Sequence, residues 1–245
     1  MNSILIDGDV ILYQIASACE IATDWGDDFW TLHADVKEAK NRVDITLSRL
    51  YEKLNGCEMI VTLSGDNNFR KTILPTYKFH RKKTRKPVIF PPLKDYLREI
   101  YTVVEYNNLE GDDVLGLIAT GMKKLKGDPV IVSIDKDMKT IPCKHYNPDK
   151  DEQFEISLEE ADYNHLYQSL MGDSTDGYSG CPGVGPKTAK KILDEEATWD
   201  KVKETYEING LTEDEALVQA RVARILRYNE FNPKTEEVIL WNPQK

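Results

Sequence analysis

Short apolar runs that stop on an acid recur through the first part of the chain. "SILIDG" (3–8), "EMIVTLSGD" (58–66) and "DPVIVSIDKD" (128–137) each read as a buried strand with a carboxylate at its carboxyl end. "TVVEY" (102–106) reads as a fourth strand, and "LEGDD" (109–113) follows it. Between the first two runs, Val36, Ala39, Val43, Leu47, Leu50 and Leu54 recur at spacings of three or four. This predicts one apolar helix face, opening after an Asp35 cap with Glu38 three residues on. Alternating strands and helices predict an α/β fold with a mostly parallel central sheet flanked by helices. In such a sheet the carboxyl ends of the strands share an edge where ligands bind, so the four runs would deliver their acids to a single crevice.

From about residue 157 the pattern changes. "SLEEADYNHLYQSLMGD" opens on an S-x-x-E capping signal, "PKTAKKIL" and "TEDEALVQARVARILRYN" read as helical, and no strand-like run returns until "EVILW" (237–241). The expected organisation is an α/β domain over 1–156 and a helical lobe over 157–245. The longest irregular stretch, about 65–92, carries Pro75, Pro87, Pro91 and Pro92; loops of that length are usually functional or disordered.

A chain of 245 residues with 40% apolar and 30% charged side chains can bury a sizeable core and reads as globular. No apolar run approaches the roughly 20 residues that span a bilayer, and "MNSILIDGDV" lacks the basic start of a secretory signal, so a cytoplasmic protein is expected. Cys19, Cys57, Cys143 and Cys181 form no C-x-x-C pair, and the histidines show no i,i+4 spacing. Any bound metal would therefore need oxygen ligands. The net charge of −10 argues against a phosphate-rich partner, yet from Asn67 to Lys94 the chain has nine Lys or Arg residues and no acid. A second basic group, Lys187, Lys190 and Lys191, follows a glycine-rich turn.

The acids fall into groups: Asp7 with Asp9; Asp66; Glu110, Asp112 and Asp113; Asp135 with Asp137; Asp173 with Asp176. Singly, each could be a loop or helix-cap residue, and an acid in the first turn of a helix is favoured by the helix dipole. Jointly they describe an oxygen-rich pocket suited to hard cations such as Mg²⁺ or Mn²⁺. Two such ions about 3.5–4 Å apart can activate a water and stabilise the leaving oxygen of a phosphodiester. In "GCPGVGPKTAKKIL" (180–193), glycines let backbone N–H groups approach a phosphate at a helix N-terminus. The candidates there are Gly183, Val184, Gly185, Lys187, Thr188 and Lys190. "LPTYKFHRKKTRK" (74–86) interleaves Tyr77, Phe79 and His80 with cations that include Lys82, Lys83 and Arg85, a composition suited to single-stranded nucleic acid. A plain connector and a solvated basic loop are the simpler readings of these two stretches.

"LIDGD", "SGD", "LPTYKFHR", "LEGDD", "SIDKD" and "MGDSTDGYSGCPGVGPKTAKKIL" occur in that order over residues 4 to 193. In this the chain resembles the 5′-nuclease family: flap endonucleases, bacteriophage 5′-to-3′ exonucleases and the N-terminal nuclease domain of bacterial DNA polymerase I. The resemblance implies a PIN-like sheet, an arch or clamp at about 67–94, and a helix-three-turn-helix element for duplex DNA at about 172–193. It implies a two-metal site, Mg²⁺ with Mn²⁺ able to substitute, made from Asp7, Asp66, Glu110, Asp112, Asp113, Asp135, Asp137, Asp173 and Asp176. Lys78 would stabilise charge on the scissile phosphate, Arg81 would assist, and Tyr77 would stack on an unpaired base. Products would carry a 5′-phosphate and a 3′-hydroxyl, and the turn before Lys187 can hold K⁺ in this family. The implied partners are duplex DNA with 5′ ends, nicks or 5′ flaps, with RNA–DNA hybrids as a further candidate. The chain would act as a monomer, without a membrane, in the host cytoplasm if phage-encoded.

Several positions depart from the family pattern. "DGYSG" (176–180) replaces the common Asp-Asn-Ile-Pro-Gly, Gly111 replaces an alanine, Asp9 is an extra acid, and Gln14 stands where some relatives place arginine. Tyr13 remains available for stacking. The stretch after Arg81 is short and proline-bearing, unlike a long threaded arch. Two other readings compete: a haloacid-dehalogenase-type phosphatase using Asp7 and Asp9, and a non-catalytic DNA-structure-binding protein.

Overall fold

The structure, a computed structural model, describes residues 1–243, apart from the side chains of Lys82 and Lys83. Strand β1 (Asn2–Asp7) runs directly into helix α1 (Gly8–Cys19), and a hairpin of β2 (Ile21–Asp24) and β3 (Trp30–His33) precedes α2 (Val36–Lys53) and β4 (Gly56–Thr62). Then come α3 (Arg70–Ile73), a short 3₁₀ turn (Phe79–Lys83), α4 (Phe90–Ile100), β5 (Val103–Val104) and α5 (Gly111–Leu117). Next are β6 (Asp128–Val132), a 3₁₀ turn (Lys136–Thr140), β7 (Lys144–Asn147) and β8 (Glu152–Glu155). The chain continues through α6 (Leu158–Met171), α7 (Pro186–Glu195), α8 (Trp199–Ile208) and α9 (Glu213–Ala223), and closes with β9 (Phe231–Asn232) and β10 (Glu237–Val238).

The main sheet has the order β5-β4-β1-β6-β7-β8, parallel throughout except for the antiparallel edge strand β8. β1 lies inside the sheet, so Ile4, Leu5 and Ile6 are all fully buried. A strand covered on both faces needs apolar residues at every position rather than at alternate ones. On one face Ile4 and Ile6 pack with Leu12, Val43, Leu47 and Leu93 from α1, α2 and α4. On the other, Leu5, Ile60 and Ile131 pack with Val114 and Leu117 of α5 and with Ile225, Leu226 and Phe231. Helices α6 to α8 enclose a separate cluster around Leu170, Leu193, Val202 and Tyr206.

The Asp35 carboxylate accepts the N–H groups of Lys37 and Glu38 at the start of α2, and Ser157 and Glu160 form the reciprocal cap of α6. Two features differ from expectation. Helix α9 stops at Ala223, although the apolar spacing of 212–229 reads as helical. Its continuation extends because buried polar groups claim the backbone: Arg70 Nη2 donates to Arg224 O (2.5 Å) and Leu226 N–H donates to Asp113 Oδ1 (3.2 Å). Ile225, Leu226 and Phe231 thus pack on the α/β sheet rather than in the helical lobe, whereas Trp241 returns to that lobe, edge-on to His165 of α6 and Trp199 of α8. The β2–β3 hairpin was not foreseen, and it leaves Ile21, Trp25, Phe29 and Trp30 exposed. The four cysteines are free, and among the described residues no helix is long and apolar enough to cross a membrane.

The glycine of "DGD" has a packing reason. A Cβ on Gly8 would lie 2.6 Å from Thr62 O and from Val61 Cγ1, so α1 can cross β4 only without a side chain there. Gly8→Ala is expected to lower unfolding stability by about 1–3 kcal/mol, read from the urea midpoint; an unchanged midpoint would contradict this close packing.

Candidate active site

Each acid reaches the site by a local structural rule. Asp7 ends β1 and caps α1 by accepting Val10 N–H. Asp135 follows β6 and caps the 3₁₀ turn that carries Asp137, accepting its N–H at 2.8 Å. Glu110 caps α5 and presents Asp112 in the first turn. Asp173 and Asp176 sit in the turn after α6, where Asp173 accepts Thr175 N–H at 2.8 Å. These seven carboxylates line one cleft of about 250 Å³ with Asp9, Ser64, Lys78, Arg81 and Lys136.

Cations within the fold neutralise part of this charge. Lys78 Nζ pairs with Glu110 and lies 3.4 Å from Asp176 Oδ2, while Arg81 Nη2 is 2.6 Å from Asp176 Oδ1. Lys136 Nζ is 3.0 Å from Asp173 Oδ2. Burial alone would raise Glu110, but Lys78 and Arg70 outweigh it and hold the carboxyl at about 2. The remaining acids are not matched. Burial pushes Asp7 up to about 7, against hydrogen bonds from Ser133 and Val10, with Asp9 and Asp135 adding to the rise. Burial and then Asp7 raise Asp112 well above the usual carboxylate range, and burial and Asp135 lift Asp137 to about 6.

Not every expected site residue arrives in the cleft. Asp113 points away from it: both oxygens take 2.7 Å hydrogen bonds from the Arg70 guanidinium, and the side chain is fully buried. Asp66 is exposed beyond the strand end and does not line the cleft. Tyr77 cannot stack on a base as expected, because its ring is 4% exposed and its hydroxyl is held by Glu110 Oε2 (2.7 Å) and Asp176 Oδ2 (3.1 Å). Val184 is also turned inward, with its side chain in the helical core and its N–H on Cys181 O (3.1 Å), leaving neither for a phosphate. Arg85 is exposed but binds the Glu20 carboxylate at 2.5 and 3.0 Å. Lys82 and Lys83 have side chains outside the described residues. Gly183, Gly185, Lys187, Thr188 and Lys190 are exposed together at the start of α7.

The expectation also missed residues that hold the acids in place. Ser133 Oγ donates to Asp7 Oδ2 at 2.7 Å, Gln168 Nε2 donates to Asp137 Oδ1 at 2.8 Å, and Ser64 N–H donates to Asp9 Oδ2 at 2.6 Å. Ser133 interrupts an apolar strand two residues before Asp135, a signal that could have been read. Gln168 and Arg70 carried no comparable mark.

The donors fit hard divalent cations by their chemistry: oxygen only, several carboxylates, and a local excess of negative charge. Among the described residues no three acids stand close enough to enclose an ion by themselves.

An acid-rich cleft on the carboxyl edge of a parallel sheet, with a lysine and an arginine set into its wall, is the arrangement that the resemblance to 5′-nucleases implies. Residues 2–162 match the family model described as 5′-3′ exonuclease, N-terminal resolvase-like domain, and the chain belongs to that family. It is 32% identical to the exodeoxyribonuclease of Enterobacteria phage T3, over 98% of this chain and 93% of that protein. It is equally 32% identical, with the same coverage, to the exonuclease of Escherichia phage T7. The flap endonuclease Xni of Shewanella oneidensis is 27% identical across 65% of this chain and 66% of its own length. Among solved structures, the bacteriophage T5 flap endonuclease pseudo-enzyme–product complex with DNA and metal ions matches with a TM-score of 0.70. That likeness covers 91% of this chain and 89% of the other at 14% identity, and speaks for the fold.

The raised Asp7 carboxyl has a consequence for stability. Its folded-state value lies above the ordinary 3.8, so the folded chain holds the proton more tightly than the unfolded one. Asp7 therefore makes the metal-free protein less stable as pH rises from about 4 to about 7. Asp7→Asn in the presence of a chelator is expected to melt about 2–6 °C higher than the parent at pH 8, with the gap closing towards pH 4. Saturating divalent metal should stabilise the parent more than the variant, and a variant that melts lower at pH 8 would refute the electrostatic account.

Proposed function

We propose that this chain is a divalent-metal-dependent nuclease that degrades DNA from 5′ ends and cuts at 5′ flaps, leaving 5′-phosphate and 3′-hydroxyl products. The observation that carries the reading is one cleft holding eight carboxylates, Asp9 among them, beside Lys78 and Arg81, in a chain of the 5′-3′ exonuclease family. Asp7, Asp112, Asp135, Asp137, Asp173, Asp176 and Glu110 are the residues to hold Mg²⁺, or Mn²⁺ in its place. When bound, two such ions supply an activated water and stabilise the leaving oxygen.

The protein's own groups do the rest. Lys78 is 16% exposed; burial opposes its charge, but Glu110 and Asp176 outweigh it and favour the charged form. Its ammonium stands where an entering phosphate would compete with Glu110 for it. Arg81, half-exposed on Asp176, can turn its planar fork to the same phosphate. Tyr77 steadies Glu110, and stacking on an unpaired base falls to Tyr13, which is 45% exposed. For duplex DNA we assign α6, the turn 172–185 and α7 as the helix-three-turn-helix. Gly183 and Gly185 permit close approach, and Lys187, Thr188 and Lys190 face the backbone. Turn carbonyls would hold K⁺, and Lys82, Lys83 and Arg85 would guide the 5′ strand. A single chain supplies every group of this site, so we expect it to act as a monomer, and RNA–DNA hybrids offer it the same phosphates.

Product mapping on a labelled 5′-flap duplex and a blunt duplex, with Mg²⁺ and with EDTA, tests the reading. Metal-dependent products from the 5′ end are expected. Lys78→Ala should lower kcat by about 10²–10³-fold, the scale of one electrostatic donor in a transition state, with DNA affinity little changed. Asp135→Asn should abolish most cleavage. Full activity in both variants would remove the assigned site.

A further inference from the structure

We infer that Arg70 and the C-terminal strap over residues 222–230 are positioning elements of the active site, holding both acid-bearing turns of the cleft in register. This rests on the metal-dependent nuclease reading. Arg70 is 2% exposed and its guanidinium is fully engaged. Nε donates to Val222 O (2.8 Å), Nη1 to Asp113 Oδ2 (2.7 Å) and Glu110 Oε2 (3.3 Å), and Nη2 to Asp113 Oδ1 (2.7 Å) and Arg224 O (2.5 Å). Asp113 closes the knot by accepting Glu110 N–H at 3.1 Å and Leu226 N–H at 3.2 Å. The first turn of α5 is thereby tied to the strap on one side. Asp112, about 100° further round the helix axis, is left to face the cleft.

The strap also reaches the other half of the site. Arg227 donates from Nε (3.2 Å) and Nη2 (2.7 Å) to Thr140 O, at the end of the 3₁₀ turn that Asp135 caps and on which Asp137 rides. Arg227 Nη1 pairs with Asp162 at 2.7 Å. Glu230 locks the strap on itself, taking Arg224 Nη2 at 2.7 Å and Arg227 N–H at 2.8 Å. One short segment therefore carries hydrogen bonds to the elements that present Glu110 and Asp112 and to the turn that presents Asp135 and Asp137. Partners that orient metal-holding groups from behind typically change metal affinity or activity by about 10–100-fold when removed. A strap that only stabilised the fold would change neither once the protein is folded.

The test uses the full chain with Glu230→Gln and, as a second variant, Arg227→Lys; neither residue lines the cleft. Mn²⁺ binding to metal-free protein is followed by electron paramagnetic resonance, beside the Mg²⁺ dependence of cleavage and the thermal midpoint. Mn²⁺ affinity is expected to fall about 10-fold, the Mg²⁺ needed for half-maximal rate to rise in step, and KM for DNA to stay within about twofold. Variants that melt earlier yet bind Mn²⁺ and respond to Mg²⁺ like the parent would overturn the inference. If the parent cleaves nothing with any divalent metal while the variants still bind Mn²⁺ more weakly, the nuclease reading fails and the positioning inference stands.

Discussion

Repulsion among carboxylates at one sheet edge is the constraint around which this protein is arranged. Parallel strands deliver Asp7 and Asp135 to adjacent ends, and α5 and the turn after α6 bring further acids to the same place. The fold handles the resulting charge in two ways. Glu110, Asp173 and Asp176 each meet a lysine or arginine, and Asp113 is withdrawn onto Arg70. Asp7 is buried, and Asp112 and Asp137 half-buried, without such a partner, and all three hold their protons more tightly as a result. A chain that can place Arg70 against Asp113 could have neutralised the others as well. Leaving them unmatched costs stability at neutral pH, a cost that protonation removes and a bound cation would offset.

The same division explains how a chain of net charge −10 serves a polyanionic substrate. The acids face inward to the cleft, where Lys78 and Arg81 interrupt them, while Lys187 and Lys190 project outward from α7. Summed charge sets long-range behaviour, but short-range binding depends on which groups a phosphate meets first. The basic start of α7, with Lys187 and Lys190 exposed, makes those groups positive locally.

Much of this was legible in the sequence, for physical reasons that also mark where legibility ended. Strands buried on both faces must be continuously apolar, so β1, β4 and β6 stood out, and the acids ending β1 and β6 were located with them. The split between Asp112 and Asp113 was not readable. Adjacent helical residues point about 100° apart, and nothing local says which one meets a metal and which meets Arg70. Tyr77 belonged to a recognisable motif, yet whether its ring is free or buried depends on Tyr178, Val222 and Ala223, which pack around it from far along the chain. The stretch 224–229 kept a helical spacing of apolar residues and still extended. Local propensity there is overridden by buried hydrogen bonds to Arg70 and Asp113, which no periodicity reports.

The departure at "DGYSG" shows how two distant segments were fitted to each other. Gly177 has φ +79°, and a Cβ there would come within 2.8 Å of Thr76 O. Lys78 itself is in the left-handed region at φ 52°, unusual for a residue other than glycine, and its N–H donates to Asp176 O at 2.7 Å. Strain of this kind persists where surrounding contacts enforce it, and here the contact is made by the turn that leads into α7. The lysine nearest the acids is therefore held from its backbone by the segment that also presents Asp176. Because that segment continues into the exposed basic start of α7, the position of Lys78 and the position of that helix start are linked through the same turn.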